Sequence, residues 1–298
     1  MPVDRRLVTL TAADGKEHDA LLEIDVRAAR GRTRATGRRT ALVHVHGIMG
    51  NFLVGTLRFF PAPLARAGFP VLVLETRMAD VGQLFGQAIF EDAIQDVEAA
   101  VRWLREQGFD TIVLSGYSSG ATLATRYAAT HHVPDLRALV CLGNPWGLPQ
   151  SMMERAERFG ARPPYEELTR TVEEALGDDP DASDLDRLFL VERSRGPSET
   201  PPDSEVYTYR TWWHSRGPAA VAAMAHRQIG QVRAPILLVQ GTDDEVVAFE
   251  EAERLAEVAR EAGNLDVTVV PIEGTGHTFD GGEIATRDAV VAWLRRRA

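Results

Sequence analysis

The sequence has a single cysteine, no long apolar run and an excess of acidic residues, and each feature excludes a class of protein. Cys141 has no partner with which to form an internal disulfide, and no zinc site can rest on thiolates. The apolar runs are far shorter than the roughly 18 residues that a membrane-spanning helix needs. The net charge of −10 argues against nucleic acid and anionic membranes as partners.

The remaining composition is typical of a globular enzyme-sized chain. The 298 residues are 44% hydrophobic and 26% charged, and this length fits one large domain that carries an insertion. No apolar signal core follows Met1–Arg6, so we expect a cytoplasmic protein rather than a secreted one. The arginine-rich stretch Arg27–Arg39 predicts a solvated loop.

Short apolar runs alternate with helical patterns along most of the chain. The strand-like runs span residues 41–45, 71–74, 111–114, 138–142, 236–239 and 267–270. The clearest helical pattern runs from Ala88 to Gln107, and an Asp14-Gly15 turn predicts a hairpin in the first 30 residues. Strands that alternate with helices indicate an α/β protein with a mostly parallel sheet covered on both faces.

One connection is far too long for a simple crossover. Roughly 90 residues separate the strand that ends near Gly143 from the strand that starts at Pro235, whereas a crossover needs only about 10–12. This stretch contains helical segments and a cluster of aromatic residues, and disordered segments are poor in aromatics. We therefore expect residues 144–232 to form a largely helical cap, and residues 1–143 and 233–298 to form the core.

The most specific motif is Gly116-Tyr117-Ser118-Ser119-Gly120, which follows one of the strand-like runs and precedes a helical pattern. Small residues two positions away on each side allow a tight strand-to-helix turn. Such a turn holds a serine hydroxyl above the sheet edge, at the positive end of the following helix. The pattern predicts that Ser118 is a nucleophile.

From Thr40 to the C-terminus, outside the cap, the chain resembles an α/β-hydrolase-fold serine hydrolase. In that family the catalytic order is serine, then an acid, then histidine. The resemblance implies that Asp244 is the acid, with Asp243 as the alternative, because both lie in the turn after the strand 236–240. It also implies that His277, on a loop after the last strand, is the general base.

The resemblance further implies an oxyanion hole made of two backbone N–H groups. One belongs to Ser119, directly after the nucleophile. The other comes from the His46-Gly47-Ile48-Met49-Gly50 loop, where the family pattern selects Ile48, with Met49 as the alternative. We expect His46 to hold this loop by hydrogen bonds. The chain has no phosphate-binding, dinucleotide or metal motif, and acyl transfer by these groups needs no cofactor and no metal.

The expected function is hydrolysis of a carboxylic ester, or of a thioester or lactone, in a small molecule. Apolar residues near the carboxyl ends of the strands and in the cap predict a pocket for an uncharged acyl or alcohol group. These residues are Met49, Leu53, Phe85, Tyr117, Trp146, Trp212 and Trp213. The alternatives are an acyltransferase, thioesterase or peptidase with the same residues, and a non-catalytic ligand-binding protein on this fold. The sequence does not indicate an oligomeric state.

Overall fold

The computed structural model describes residues 3–26, 39–48, 50–53, 55–79, 88–131, 133–177, 188–193 and 203–297. The strands are β1 (Val3–Thr11), β2 (Glu17–Asp25), β3 (Thr40–Val45), β4 (Val71–Leu74), β5 (Thr111–Tyr117), β6 (Leu136–Leu142), β7 (Ala161–Arg162), β8 (Leu188–Arg193), β9 (Asp203–Thr208), β10 (Ile236–Gly241) and β11 (Val267–Ile272). The helices are α1 (Pro61–Arg66), α2 (Ile94–Glu106), α3 (Ser119–Thr130), α4 (Leu148–Phe159), α5 (Tyr165–Leu176), α6 (Tyr209–Arg216), α7 (Phe249–Glu261) and α8 (Glu283–Arg295).

A large sheet of eight strands, in the order β1-β2-β4-β3-β5-β6-β10-β11, carries the fold. Six neighbouring strands of this sheet, β4, β3, β5, β6, β10 and β11, pair in parallel, and β1 and β2 add an antiparallel edge. The expected hairpin and the mostly parallel sheet are confirmed. The carboxyl ends of the parallel strands meet at one edge, where ligands bind in open α/β sheets.

Helices cover both faces of this sheet. Neighbouring residues of a strand point to opposite faces, so each buried strand contributes apolar side chains to both layers of helices. In β3, for example, Val43 belongs to the apolar cluster that packs under α2, α3 and α7, whereas Leu42 belongs to the cluster under α1 and α8. Helix α2 begins at Ile94, so the predicted start at Ala88 is wrong. The residues before it form separate turns, with Asp92 N–H donating to the carbonyl of Ile89.

Residues 144–232 lie between β6 and β10, and we call this stretch of the chain the insertion. It contains α4, α5 and α6, and also a three-stranded antiparallel sheet of β7, β8 and β9 that the sequence pattern did not indicate. Its own apolar cluster contains Leu168, Val172 and Trp212. Ile48, from the core loop after β3, packs against this cluster, so the insertion contacts the core near the carboxyl edge of the sheet.

His44 and Cys141 are both buried inside the large sheet. His44 in β3 lies 2.8 Å from Ser115 Oγ and 3.2 Å from Thr56 Oγ1, and burial lowers the pKa of His44 to about 3. Burial raises the pKa of the Cys141 thiol to about 12, so this cysteine is an unreactive core residue. Within the described part of the chain, no helix is both long enough and apolar enough to cross a membrane.

Candidate active site

Ser118 stands on a sharp turn between β5 and α3. Its backbone has φ 54°, a left-handed conformation that non-glycine residues seldom adopt. The turn is held by Ser118 N–H, which donates to the carbonyl of Leu142 on the neighbouring strand at 2.8 Å. A Cβ at Gly120 would overlap the carbonyl oxygens of Val45 and His46. The small residue at that position therefore lets α3 begin directly against the loop that follows β3.

The structure brings Ser118, His277 and Asp244 together from three distant parts of the chain. His277 Nε2 lies 3.0 Å from Ser118 Oγ, and His277 Nδ1 lies 2.8 Å from Asp244 Oδ2. An ionised carboxylate only accepts hydrogen bonds, so the ring proton resides on Nδ1 and Nε2 is left to accept the serine proton. This arrangement can deprotonate the hydroxyl as it attacks.

Asp244 is held by more than the histidine. Its Oδ1 accepts the backbone N–H groups of Val246 and Val247, both at 2.8 Å, and its Oδ2 accepts Gln240 Nε2 at 2.6 Å. Gln240 is fully buried at the end of β10 and also donates to the carbonyl of Val247. Sequence reasoning missed Gln240, although a polar residue at the end of an Ile-Leu-Leu-Val strand was a usable signal.

The two acids beside Asp244 point elsewhere. Asp243 is exposed, and its described contacts are with Thr242 and the carbonyl of Thr275. Glu245 Oε2 accepts the backbone N–H of His277 at 3.3 Å, so this carboxylate contacts the loop that carries the histidine. Of the two acids that the turn left open, the structure brings Asp244 to the imidazole.

The loop after β3 lies directly beside the nucleophile. A Cβ at Gly47 would come within 3.3 Å of Ser118 Cβ. His46 Nε2 accepts the backbone N–H of Thr76 at 3.0 Å, so its proton is on Nδ1, which donates to the carbonyl of Gly47 at 2.6 Å. In a trans peptide the N–H points opposite to the carbonyl, so this bond directs the N–H of Ile48 away from the His46 ring. The alternative donor, Met49, lies outside the described residues.

A cavity of about 150 Å³ opens onto Ser118 and His277. Its wall contains apolar residues from the core and from the insertion, and also polar and cationic residues. The sequence analysis did not predict the polar and cationic residues of the insertion. The lining residues are Gly47, Ile48, Tyr117, Ser118, Pro145, Leu148, Ser151, Met152, Arg155, Arg216, Val246, Val247 and His277. The expectation of an apolar lining holds for only part of this wall, because Arg155 and Arg216 also belong to it, and the uncharged substrate group stays a prediction.

Of the predicted pocket residues, Tyr117 lines this cavity, and its ring centroid lies 5.0 Å from that of His277. The others among the described residues are not part of the lining. Trp212 is fully buried in the apolar cluster of the insertion, and Trp213 packs against the same cluster. Trp146 stacks on His226, and Leu53 is 64% exposed. Apolar character predicted burial correctly for Trp212, but its ring serves the packing of the insertion. Phe85 lies outside the described residues.

A buried carboxylate behind the cavity joins the insertion to the core. Glu251 of α7 accepts the N–H of Trp146 at 2.5 Å and the hydroxyl of Ser151 at 2.6 Å, and burial raises the pKa of Glu251. Ser151 itself lines the cavity, so Glu251 fixes one part of the wall. Across the described residues, no group of three or more His, Cys, Asp or Glu side chains is placed to hold a metal ion.

Residues 38–280 match the sequence family described as "Serine aminopeptidase, S33", which covers well over half of the chain. The chain belongs to this family. It is accordingly a member of a serine hydrolase family and has the α/β-hydrolase fold. Comparison with curated protein sequences found no match.

Solved structures with a similar fold include several esterases. Esterase Pf2001 of Pyrococcus furiosus is 17% identical, with a TM-score of 0.64 over 99% of this chain and 93% of that one. Est1E of Butyrivibrio proteoclasticus is 15% identical, with a TM-score of 0.66 over 98% of both chains. The esterase domain of a Rhodothermus marinus protein is 18% identical, with a TM-score of 0.60 over 98% of both. At these identities the likeness establishes the fold of this S33-family chain.

Proposed function

We propose that this protein hydrolyses a carboxylic ester of a small molecule through an acyl intermediate on Ser118. The observation that carries the proposal is the chain of contacts from Ser118 Oγ to His277 Nε2, at 3.0 Å, and from His277 Nδ1 to Asp244, at 2.8 Å. In the first step the serine oxygen attacks the ester carbonyl while His277 takes its proton. Asp244 keeps the imidazole in the required tautomer and stabilises the imidazolium that forms.

The charge that develops on the carbonyl oxygen needs donors that are already in place. We assign this role to the N–H groups of Ser119 and Ile48, which flank the nucleophile on α3 and on the loop after β3. Each donor of this kind contributes about 3–4 kcal/mol to transition-state stabilisation. His277 then gives its proton to the departing alcohol, and a water molecule activated by the same ring cleaves the acyl-serine. The residues present suffice for both steps.

We further propose that residues 144–232 act as a cap over a core formed by residues 1–143 and 233–298. Leu148, Ser151 and Met152 from the insertion share one cavity with Ser118 and His277 from the core, which supports this division. The apolar part of the wall suits a small acyl or alcohol group, and the whole cavity, at about 150 Å³, has room for a group about the size of benzene. Tyr117, on the core side, adds an aromatic surface next to the histidine.

A fluorophosphonate probe with an uncharged tail tests the reaction class directly. We expect one adduct on Ser118, identified by mass spectrometry, together with hydrolysis of short p-nitrophenyl esters. Ser118→Ala should abolish both, whereas Ser119→Ala, which removes the neighbouring hydroxyl but keeps the backbone N–H, should retain the adduct. Folded protein that fails to label, or that labels equally well after Ser118→Ala, would refute the proposal and favour a ligand-binding role.

Peptide hydrolysis is the second candidate, because the matching family is described by an aminopeptidase. An aminopeptidase must accept a protonated amino terminus, which calls for acidic groups in the pocket. The described lining of the cavity contains two arginines and no acidic residue. The lack of an acidic residue in the described lining favours an ester over an aminopeptidase substrate, and comparison of p-nitrophenyl esters with aminoacyl p-nitroanilides separates the two.

A further inference from the structure

Ser151 of α4 lies between the active-site cavity and a buried carboxylate. It belongs to the lining of the cavity, together with Ser118 and His277. Its hydroxyl donates to Oε2 of Glu251 at 2.6 Å, and Glu251 lies on α7 of the core, outside the described lining. Ser151 and Glu251 are only 6% and 3% exposed, so the hydrogen bond between them is shielded from bulk water.

The surroundings of Glu251 fix the direction of this hydrogen bond. Oε2 also accepts the backbone N–H of Trp146 at 2.5 Å, and Oε1 accepts the backbone N–H of Ala248 at 3.1 Å. Burial raises the pKa of Glu251, and these three hydrogen bonds oppose the rise, because each of them favours the ionised form. Since an ionised carboxylate only accepts, the proton of the Ser151 hydroxyl is directed toward Glu251.

Ser151 is left with hydrogen-bond acceptor capacity only. A serine hydroxyl has one proton and two lone pairs, and Glu251 takes the proton. Within the part of the chain that the structure describes, no donor reaches the hydroxyl oxygen of Ser151. The negative charge of Glu251 polarises the hydroxyl and makes its oxygen a stronger acceptor. Because Ser151 belongs to the cavity wall, this acceptor is the polar feature that it offers to a bound molecule.

The neighbours of Ser151 in the wall determine what a ligand gains there. Leu148 and Met152 of the same helix line the cavity as well, and an apolar group packs against them. Where such a group also covers Ser151, it displaces water and leaves a buried acceptor without a donor, which weakens binding. A site built around a hydroxyl group of its substrate therefore rejects the analogue that lacks it. A hydroxyl adds a single heavy atom, which suits a cavity of about 150 Å³, whereas an amide adds several.

We propose that the natural ester carries a hydroxyl group on its acyl or its alcohol half, and that this hydroxyl donates to Ser151 Oγ while Ser118 attacks the ester carbonyl. Such a substrate is an ester of a short hydroxy acid, or a monoester of a small diol. Glu251 is the positioning residue, since it sets the direction of the Ser151 hydroxyl. The inference rests on the proposed esterase activity and defines its substrate class.

Esters of equal size, followed in a pH-stat, test the proposal. Methyl 3-hydroxypropanoate and methyl butanoate differ by a hydroxyl in place of a methyl group on the acyl side, and 2-hydroxyethyl acetate and propyl acetate make the same comparison on the alcohol side. In at least one pair we expect kcat/KM to be about tenfold higher for the hydroxylated ester, as one satisfied buried acceptor provides. The methoxy group of 2-methoxyethyl acetate cannot donate, so this ester should show no such advantage over butyl acetate.

Variants of Ser151 connect the preference to its hydroxyl. Ser151→Ala should bring the ratio within each pair to about one, because the acceptor is gone. Ser151→Cys, whose sulfur is a weak acceptor, should do the same and serves where Ser151→Ala does not fold. Ser215→Ala is the matched control, because it removes a fully buried hydroxyl of the insertion that donates to the carbonyl of Thr211 within α6. Ser215 is not among the described lining residues, so this variant should keep the preference.

A second readout separates this inference from the esterase proposal. Titration of both ester pairs into Ser118→Ala protein, followed by ligand-observed NMR, measures binding without turnover, and we expect the hydroxylated ester of at least one pair to bind more tightly. If it does so only while Ser151 is present, but Ser118 takes no fluorophosphonate, the hydroxyl site stands and the esterase proposal fails.

Two results would overturn the inference. If neither pair shows a preference for the hydroxyl that depends on Ser151, in rate or in binding, Ser151 and Glu251 serve only to hold the insertion on the core, whether or not Ser118 labels. If methyl 3-aminopropanoate is preferred to methyl 3-hydroxypropanoate in the same Ser151-dependent way, the wall selects an ammonium group instead.

Discussion

Gly120→Ala gives a sharp test of how the turn at Ser118 supports catalysis. The added methyl group would lie 2.8 Å from the carbonyl carbon of His46, and closer still to the carbonyl oxygens of His46 and Val45. Real Cβ contacts are essentially never shorter than 3.0 Å, and backbone cannot rotate aside as a flexible side chain can. The start of α3 and the loop after β3 must therefore separate, by roughly 1 Å, to accommodate the methyl group.

This separation displaces the two amides that we assign to the oxyanion hole, since Ser119 N–H lies on one side of the contact and Ile48 N–H on the other. A misplacement of about 1 Å at reacting groups costs about 10²-fold in rate, which corresponds to about 2.7 kcal/mol. We expect kcat for p-nitrophenyl acetate to fall by about 10²-fold. Thermal unfolding followed by circular dichroism should show a folded but less stable protein.

Gly274→Ala is the matched control, because Gly274 lies on the loop that carries His277. Its φ of +66° makes an added Cβ strained, but a methyl group there meets nothing within 4 Å. The strain costs about 1–2 kcal/mol of stability, and we expect kcat to stay within about threefold of the unmodified protein. If folded Gly120→Ala protein kept the same kcat as this control, the close approach of α3 to the loop would have no catalytic role.

Three further predictions follow from buried ionisable groups. Asp244→Asn should lower kcat by about 10⁴-fold, because the imidazole loses its required tautomer, whereas the same change at the exposed Asp243 should have little effect in the same ester assay. Asp96→Ala should reduce the free energy of unfolding in urea by about 3 kcal/mol, the low end for a broken buried pair, because Arg77 Nη2 loses a carboxylate oxygen at 2.6 Å but Arg77 Nη1 keeps Asp14 at 2.9 Å. Since the pKa of His44 is lowered to about 3 in the folded protein, the unfolded chain binds a proton first as the pH falls below about 6.5. The stability that comes from a neutral His44 is complete above that pH, and about 3 kcal/mol of it is lost by pH 4.

Each of these predictions has an outcome that contradicts it. If Asp243→Asn and Asp244→Asn lowered kcat equally, the assignment of Asp244 as the catalytic acid would be contradicted. An Asp96→Ala protein with unchanged stability would mean that the buried pair with Arg77 is not required. For His44, a His44→Gln variant should lose less stability than the unmodified protein between pH 6.5 and pH 4, and parallel curves would locate the acid sensitivity elsewhere.

The parallel strands and two of the candidate catalytic residues were predictable from short local patterns in the sequence. The parallel strands appear as short apolar runs bounded by turns, and the residues Ser118 and His277 lie in short motifs at strand ends. Asp244 was left open against Asp243, because three acids in one turn have the same local pattern. Only the fold, which turns one of them toward the imidazole, distinguishes them.

Residues whose position depends on distant contacts were not predictable in this way. Gln240 contacts Asp244 because a turn returns the chain to the end of β10. Arg155 and Arg216 line the same cavity because α4 and α6 pack together. Trp212 looked like a pocket residue, but it fills the interior of the insertion. The small sheet also has no strong alternation, since β7 has only two residues and β8 begins with four consecutive apolar residues.

The left-handed backbone at Ser118 has a consequence for how the chain uses its folding free energy. A non-glycine residue in such a conformation costs about 1–3 kcal/mol, a sizeable share of the 5–15 kcal/mol that typically separates a folded domain from its unfolded state. Glycine would adopt the same φ of 54° without this penalty. Stability alone would therefore favour glycine at position 118, and the chain gives up some of its thermodynamic margin to keep a hydroxyl group at that point of the turn.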